Sequence, residues 1–140
     1  MKFRYRKFAF NTPSDFLGKS ILKPIIPIKI SRLDTTIQYL ALIDSGADFC
    51  IFDAEVGEYL KLNVKSGVMI EFGGIQSIGG AKAYIHRINL DLGGYNFITD
   101  VGFSYDISKS GHGILGQKGF FDKFSIKFDL QKEDIEINPK

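Results

Sequence analysis

Leu42-Ile43-Asp44-Ser45-Gly46-Ala47-Asp48 is the segment that decides the fold: an apolar strand runs directly into a carboxylic acid, a hydroxyl residue and a glycine. Burial raises the free-energy cost of ionising a carboxyl group, so an aspartate at the end of a core strand needs a specific reason. A turn is one such reason, because Asp and Ser cap backbone amides and Gly adopts positive φ. The segment alone leaves two interpretations open, an ordinary turn and a catalytic carboxylate.

Alternating apolar residues predict short β-strands on both sides of this segment. The alternating runs are Ile26–Ile30, Ile37–Ile43, Val68–Phe72, Ile88–Leu92, Tyr95–Phe103, Ile126–Leu130 and Ile135–Ile137. Gly93-Gly94 separates two of the runs and predicts a tight hairpin. Two short helices are expected, one from the N-cap Asp53 to about Lys61 and one over residues 117–124. We therefore expect an all-β domain with one or two short helices.

Length and composition exclude several classes of protein. The 140 residues fit a single domain, 1–140, and the net charge of +2 is too balanced to predict nucleic-acid binding. One cysteine and two histidines exclude an internal disulfide and make a metal site improbable, so we expect no metal and no cofactor. No apolar run reaches the roughly 20 residues that span a membrane, and no signal-peptide segment follows the basic N-terminus. The expected location is the cytoplasm.

Two glycine-containing motifs downstream favour the catalytic interpretation of Asp44. A glycine-rich segment between alternating strands covers residues 73–80, and Gly113-Ile114-Leu115-Gly116 follows about 70 residues after the aspartate. This order of motifs resembles the retropepsin-like (retroviral-type) aspartic proteases. The resemblance extends over roughly residues 24–137, and it implies a closed β-barrel of the acid protease fold.

A pair of carboxylates on one water is the chemistry that such a fold performs, one as base and the other as acid. This sequence carries one suitable aspartate, because Asp34-Thr35-Thr36 lacks the glycine and Asp100-Val101-Gly102 lacks the hydroxyl residue. The resemblance implies a homodimer in which each chain contributes Asp44 at the twofold axis. We therefore expect an aspartic endopeptidase that acts on a peptide or protein substrate, with no nucleic-acid or membrane partner. The terminal region is closer to cellular and bacterial members of the family than to viral ones.

The resemblance also assigns roles to the neighbouring residues. Asp44 is the catalytic residue, with Ser45 and Gly46 in support. The residues expected to contact substrate are Ala47, Asp48, Ile78, Gly79 and Ile114, with Ile78 and Gly79 in a flap over the cleft. A plain glycine-rich hairpin is the alternative for that segment. Gln117 stands where the family commonly has an arginine that pairs with the acid at the Asp48 position, so at best a neutral hydrogen bond replaces an ion pair.

Two other functions stay open from the sequence. One is a retropepsin-like module that binds peptides or dimerises without turnover, and the other is a monomeric β-barrel carrier in which Asp44 is only a turn residue. Cys50 lies in an apolar stretch, which predicts a buried thiol and not a nucleophile. His86 is expected to be half-buried on a strand, and His112 to lie in an exposed loop.

Overall fold

The computed structural model describes residues 1–73, 80–107 and 111–140. The described residues form twelve strands and one α-helix. These are β1 (Lys2–Arg4), β2 (Arg6–Ser14), β3 (Gly18–Lys23), β4 (Ile25–Arg32), β5 (Thr35–Ile43), β6 (Ile51–Asp53), α1 (Ala54–Tyr59), β7 (Val68–Phe72), β8 (Ala81–Leu92), β9 (Tyr95–Ser104), β10 (Gly113–Leu115), β11 (Phe124–Asp129) and β12 (Asp134–Pro139). A single 3-10 turn, Val64–Ser66, follows α1.

Six strands close into a barrel in the order β4-β5-β10-β6-β9-β8, and a pairing between β8 and β4 completes the ring. Strand β7 pairs with β8 outside the ring. Two parallel pairs stand among antiparallel ones, since β10 runs parallel to β5 and β6 runs parallel to β9. Closure leaves the ring without a free edge, which is the usual way for a small β protein to protect its strand edges. The prediction of an all-β closed barrel is confirmed.

Alternation in the sequence sets the faces of these strands. Ile26, Ile28 and Ile30 on β4 are all buried, as are Ala41 and Ile43 on β5. Side chains two residues apart point to the same face of a strand, so each alternating run delivers its apolar set to the barrel interior. The largest buried side chains are Phe52, Phe103, Phe120 and Phe124.

The hairpin predicted at Gly93-Gly94 joins β8 to β9, with Leu92 paired to Tyr95. Both glycines have positive φ, +57° and +96°, as a two-residue turn of the primed type requires. An L-residue with a Cβ adopts this geometry only at a cost. This turn fixes the register of the two longest strands.

The first predicted helix is confirmed and the second is wrong. Asp53 caps α1, because its Oδ1 accepts a hydrogen bond from the N–H of Glu55 at 2.9 Å. Residues 117–123 instead form successive turns. Gly119 has a φ of +101°, and its carbonyl accepts a hydrogen bond from the Thr99 hydroxyl at 2.8 Å. That tertiary contact takes a carbonyl that a helix would use internally, although Phe120 is still buried as expected.

A separate sheet joins the N-terminal and C-terminal segments in the order β1-β12-β11. Arg4, at the end of β1, lies 2.5 Å from Asp134 and 3.9 Å from Glu133. The basic N-terminal segment thus meets the acidic C-terminal segment within one chain. In the ranges that the structure covers, no helix is long and apolar enough to cross a membrane.

Strands β2 and β3 form a third sheet of two strands, and each pairs only with the other in the described sheets. We call residues 6–23 the N-terminal hairpin. It interrupts the chain between the terminal strand β1 and the first barrel strand β4. The alternation in the sequence did not reveal it.

Candidate active site

Asp44 is the first residue after β5, at the end of a barrel strand. Its backbone N–H donates to the carbonyl of Leu115 at 3.0 Å, and the N–H of Ile43 donates to the carbonyl of Pro24 at 2.9 Å. The side chain is half-buried. The backbone that carries this carboxylate is therefore fixed by hydrogen bonds on two sides.

The turn that follows Asp44 is built around its carboxylate. The N–H of Gly46 donates to Asp44 Oδ1 at 2.9 Å, and the N–H of Ala47 donates to the Asp44 carbonyl at 3.2 Å. A Cβ at residue 46 would lie 3.2 Å from Asp44 Oδ1, so a side chain there would crowd the carboxylate. Both interpretations of the motif describe this segment, because the aspartate caps its own turn and also presents a half-buried carboxyl group.

Gln117 and Lys118 hold the next part of the loop. Gln117 donates from Nε2 to the carbonyl of Ser45 at 2.7 Å and from its backbone N–H to the carbonyl of Ala47 at 2.8 Å. The N–H of Lys118 donates to the carbonyl of Asp48 at 2.9 Å. Three consecutive contacts thus fix the loop from Ser45 to Asp48 against the second glycine motif.

The sequence pointed to Asp48 as the partner of Gln117, and the structure shows the Ser45 carbonyl instead. An amide reaches a neutral carbonyl as readily as a carboxylate, and this carbonyl lies within its reach. The exchange of arginine for glutamine therefore moves the contact from a side chain to the backbone of the loop that carries Asp44.

Gly116 is where the two motifs come closest. A Cβ at this position would lie 2.3 Å from the Phe49 carbonyl oxygen and 2.7 Å from the Ala47 carbonyl oxygen. Both neighbours are backbone atoms, so no rotamer change removes the clash. Only glycine allows the loop after Asp44 to sit directly on the end of β10.

The structure brings most of the predicted residues together. Ile114 lies on β10 beside Leu42 of β5, half-buried, and Ser45 and Asp48 are exposed. Ala47 is half-buried inside the loop. Ile78 and Gly79 lie outside the described residues.

A cavity of about 330 Å³ opens at the end of the loop. Its lining residues are Asp48, Phe49, Ile70, Ile85, Asp100 and Lys118. The Phe49 ring packs edge-on against Phe72 at the end of β7, with a centroid distance of 5.7 Å. Sequence reasoning missed Phe49, Ile70 and Ile85 as wall residues, although Phe49 directly follows the motif and Ile70 belongs to the run before the glycine-rich segment. Its lining thus combines three apolar side chains with three charged ones.

One of the carboxylates that line the cavity, that of Asp100, is paired. Arg87 donates from Nε to Asp100 Oδ1 at 3.0 Å and from Nη2 to Oδ2 at 3.3 Å. This side-chain hydrogen bonding lowers the pKa of Asp100 below its usual value. Asp100 is therefore ionised throughout the range in which most enzymes work.

The two histidines and the cysteine do not belong to the loop from Asp44 to Asp48. Cys50 is buried, and burial raises the pKa of its thiol to about 12, so it is not a nucleophile. His86 is half-buried and contacts the Val64 carbonyl at 2.7 Å. His112 is half-buried, not fully exposed as the loop position suggested. Within the described ranges, no cluster of three or more histidine, cysteine, aspartate or glutamate side chains is arranged to hold a metal ion.

Comparison with solved structures identifies the class of fold: the chain has the fold of the retropepsin-like aspartic proteases. A retropepsin-like aspartic protease from Rickettsia conorii superposes with a TM-score of 0.59, at 12% identity, over 98% of this chain and 96% of that one. The EIAV protease in complex with the inhibitor HBY-793 aligns at a TM-score of 0.45 and 20% identity, over 76% of this chain and 88% of the other. No protein-family model and no curated protein matches the sequence. The predicted fold is thereby confirmed by structure and not by sequence similarity.

Proposed function

We propose that this chain is an aspartic endopeptidase whose active site forms at the twofold axis of a homodimer, with Asp44 from each protomer. The observation that carries the proposal is the placement of Asp44 at the end of a barrel strand, where Leu115 and Gly46 fix its backbone and its carboxylate. The retropepsin-like fold supports the proposal, and the single Asp-Ser-Gly motif requires a second copy to complete the pair.

Electrostatic repulsion between the two carboxylates of such a pair makes them differ in protonation. Two carboxylates about 3 Å apart repel by roughly 5 kcal/mol at an effective dielectric constant near 20. That energy corresponds to roughly 4 pKa units, so the pair holds one shared proton from acidic to near-neutral pH. One member is then a base and its twin is an acid.

The reaction uses both members on one water molecule. The ionised carboxylate takes a proton from the water, and the oxygen of that water attacks the scissile carbonyl carbon. At the same time the protonated carboxyl group gives its proton to the carbonyl oxygen. The resulting gem-diol then collapses. As the C–N bond breaks, the carboxyl group that took the water proton gives it to the amine nitrogen, and the other carboxylate takes a proton from a gem-diol hydroxyl, so that a carboxylic acid and an amine leave. The proton count of the pair is restored without a cofactor.

The residues around Asp44 have supporting roles in this proposal. Ser45 and Gly46 keep the loop close to its twin in the partner, and the carbonyls and amides from Gly46 to Asp48 pair with the extended substrate backbone. Ile114 and Ala47 keep the floor of the cleft small and apolar. Ile78 and Gly79 stay assigned to the flap. The apolar cavity walls at Phe49, Ile70 and Ile85 suit an apolar substrate side chain.

The test is peptide cleavage by wild type and by Asp44→Asn, which keeps the shape of the side chain and removes its charge. We expect loss of at least roughly a hundredfold in kcat, as for removal of a general base. Asp34→Asn, in the exposed turn between β4 and β5, is the matched control and should keep full activity. A variant Asp44→Asn with wild-type activity would refute the assignment.

A dimer that binds peptides but cleaves none from a diverse library would favour the non-catalytic module instead. A monomer at every concentration would leave the carrier interpretation. The cytoplasmic location stays a prediction, which fractionation of expressing cells would test.

A further inference from the structure

The N-terminal hairpin has the features of an element that is completed by another molecule. Its strands pair with each other, with Phe8 opposite Ile21, and neither strand packs extensively on another described element. An isolated two-stranded hairpin is marginally stable in water and leaves two strand edges open. The tip exposes Phe16 at 93% and Leu17 at 48% of their surface.

The base of the N-terminal hairpin lies beside Asp44. Pro24, the residue after β3, accepts the hydrogen bond from Ile43, and Ile43 directly precedes Asp44. On the other side, Tyr5 donates to the Glu133 carbonyl at 3.0 Å and so anchors the hairpin to the terminal sheet. The hairpin therefore leaves the molecule from the edge that carries the candidate catalytic residue.

The length of the N-terminal hairpin matches the size of a second copy. Strand β2 has nine residues, about 30 Å at the usual rise per residue. A compact chain of this length has a radius of gyration of about 14 Å. A projection rooted next to Asp44 is thus about twice this radius in length, so it is long enough to reach well onto the partner protomer.

The charge of the N-terminal hairpin also differs from that of the rest of the chain. It carries four basic residues and one acidic residue, a net charge of +3, whereas the whole chain carries +2, so the remaining residues carry −1. The basic residues are Arg6, Lys7, Lys19 and Lys23. The hairpin therefore carries the excess positive charge of the chain, so two hairpins repel each other, whereas a hairpin meets no such repulsion on the rest of a neighbouring copy.

We propose that the N-terminal hairpin is a dimerisation arm that packs along the barrel of a second copy of this chain, with Phe16 and Leu17 buried against that partner. The inference rests on the proposed homodimeric active site, and it adds the element that holds the two copies together. The arm of each protomer covers the other, so the contact occurs twice in one dimer.

The test is the dimer dissociation constant, measured by sedimentation on the full chain. The double variant Phe16→Ser/Leu17→Ser should raise this constant by roughly tenfold or more, since two apolar side chains lose their burial in each arm. Replacing residues 10–19 by Asn-Gly, which joins the paired Ala9 and Ser20 through a tight turn, should raise it further. Hydrogen exchange of residues 6–23 in wild type should slow as the concentration rises through the dissociation constant.

Leu33→Asn is the matched control, because Leu33 is 84% exposed at another hairpin tip and its positive φ suits asparagine. Its dissociation constant should equal that of wild type. Circular dichroism should show a folded barrel in every variant. Arm variants with a dissociation constant within twofold of wild type would overturn the proposal, as would a wild type that stays monomeric. A changed KM with an unchanged dissociation constant would also overturn it, because the arm would then contact substrate.

The same measurements on Asp44→Asn separate this proposal from the proposed function. Weaker dimerisation of the tip variant in that background supports the arm whether or not wild type cleaves peptides. A wild type that dimerises through the arm but cleaves nothing would refute the peptidase and leave the arm established. Peptide cleavage by dimers whose dissociation constant does not change in the arm variants would support the peptidase and refute the arm.

Discussion

Substitution Gly116→Ala tests whether the loop after Asp44 depends on direct backbone contact with the second glycine motif. The added Cβ would lie 2.3 Å from the Phe49 carbonyl oxygen, 2.6 Å from its carbonyl carbon and 2.7 Å from the Ala47 carbonyl oxygen. Favourable contact between such atoms begins near 3.5 Å, so the two segments must separate by about 1 Å. That movement lengthens the hydrogen bond from the Gln117 N–H to the Ala47 carbonyl, now 2.8 Å.

The expected loss of unfolding free energy for Gly116→Ala is about 2–4 kcal/mol. Overpacking supplies roughly 1–3 kcal/mol and the weakened hydrogen bond roughly 1 kcal/mol. Denaturant titration measures the loss directly, and the melting temperature should fall by roughly 10 °C. Peptide cleavage should fall as well, because the loop that carries Asp44 moves.

Gly57→Ala in α1 is the matched control. There the nearest atoms to the new Cβ are side-chain carbons of Phe103 and Val64, both at 3.0 Å, so they need to give way by only a few tenths of an ångström. The helix also gains up to about 1 kcal/mol of propensity from alanine, so the net loss should be clearly smaller than that of Gly116→Ala. Equal stability of the Gly116→Ala and Gly57→Ala variants would refute the backbone-contact argument.

Three further predictions concern single side chains. Gln117→Ala removes the hydrogen bond to the Ser45 carbonyl, so the free energy of unfolding should fall by about 1 kcal/mol. In peptide cleavage, kcat should fall by a larger factor than KM rises. Unchanged kinetics would show that this hydrogen bond does not position the loop. Since burial raises the pKa of the Cys50 thiol to about 12, a thiol reagent at pH 8 should label the denatured chain fully and the folded chain slowly; fast labelling of the folded chain would contradict this. The hydrogen bond to Glu58 raises the pKa of Tyr105 from 10.0 to about 12, so its stabilisation is complete below pH 10 and is lost as the pH rises to 12. Tyr105→Phe should therefore be less stable at pH 8 and lose less stability between pH 10 and 12, and identical pH–stability curves would count against that linkage.

Much of the barrel was predictable because its signals are local. Alternation at Ile26, Ile28 and Ile30 placed a strand with one buried face, and Gly93-Gly94 placed a hairpin turn. The N-cap at Asp53 placed α1. Each signal depends on a few neighbouring residues, so a single sequence carries it.

The candidate site was predicted through its motifs and not through its contacts. The resemblance carried by the order of the motifs assigned the aspartate motif and Ile114 of the second glycine motif to one site. The hydrogen bond of Gln117 to the Ser45 carbonyl and the wall formed by Phe49 depend on distances between segments about 70 residues apart. Neither distance can be read from spacing along the chain.

The wrongly predicted second helix and the missed N-terminal hairpin also depend on contacts, or missing contacts, between distant segments. The helix expected over residues 117–124 is a set of turns, because Thr99 on a distant strand takes the Gly119 carbonyl. The N-terminal hairpin was missed because its polar, bulged strand β2 lacks a sustained alternation. Local propensity is a weak preference that one tertiary hydrogen bond or a missing partner overrides.

The sequence by itself determined the strand faces, the tight turn, the helix cap and the acid-hydroxyl-glycine motif, since all of these follow from the chemistry of adjacent residues. Only the tertiary structure decided that β8 closes the barrel on β4, that Gly116 sits against the Ala47 and Phe49 carbonyls, and that the strands of the N-terminal hairpin pair with no barrel strand. Those features depend on which distant segments meet, and that choice is made by the packing of the whole chain around one core.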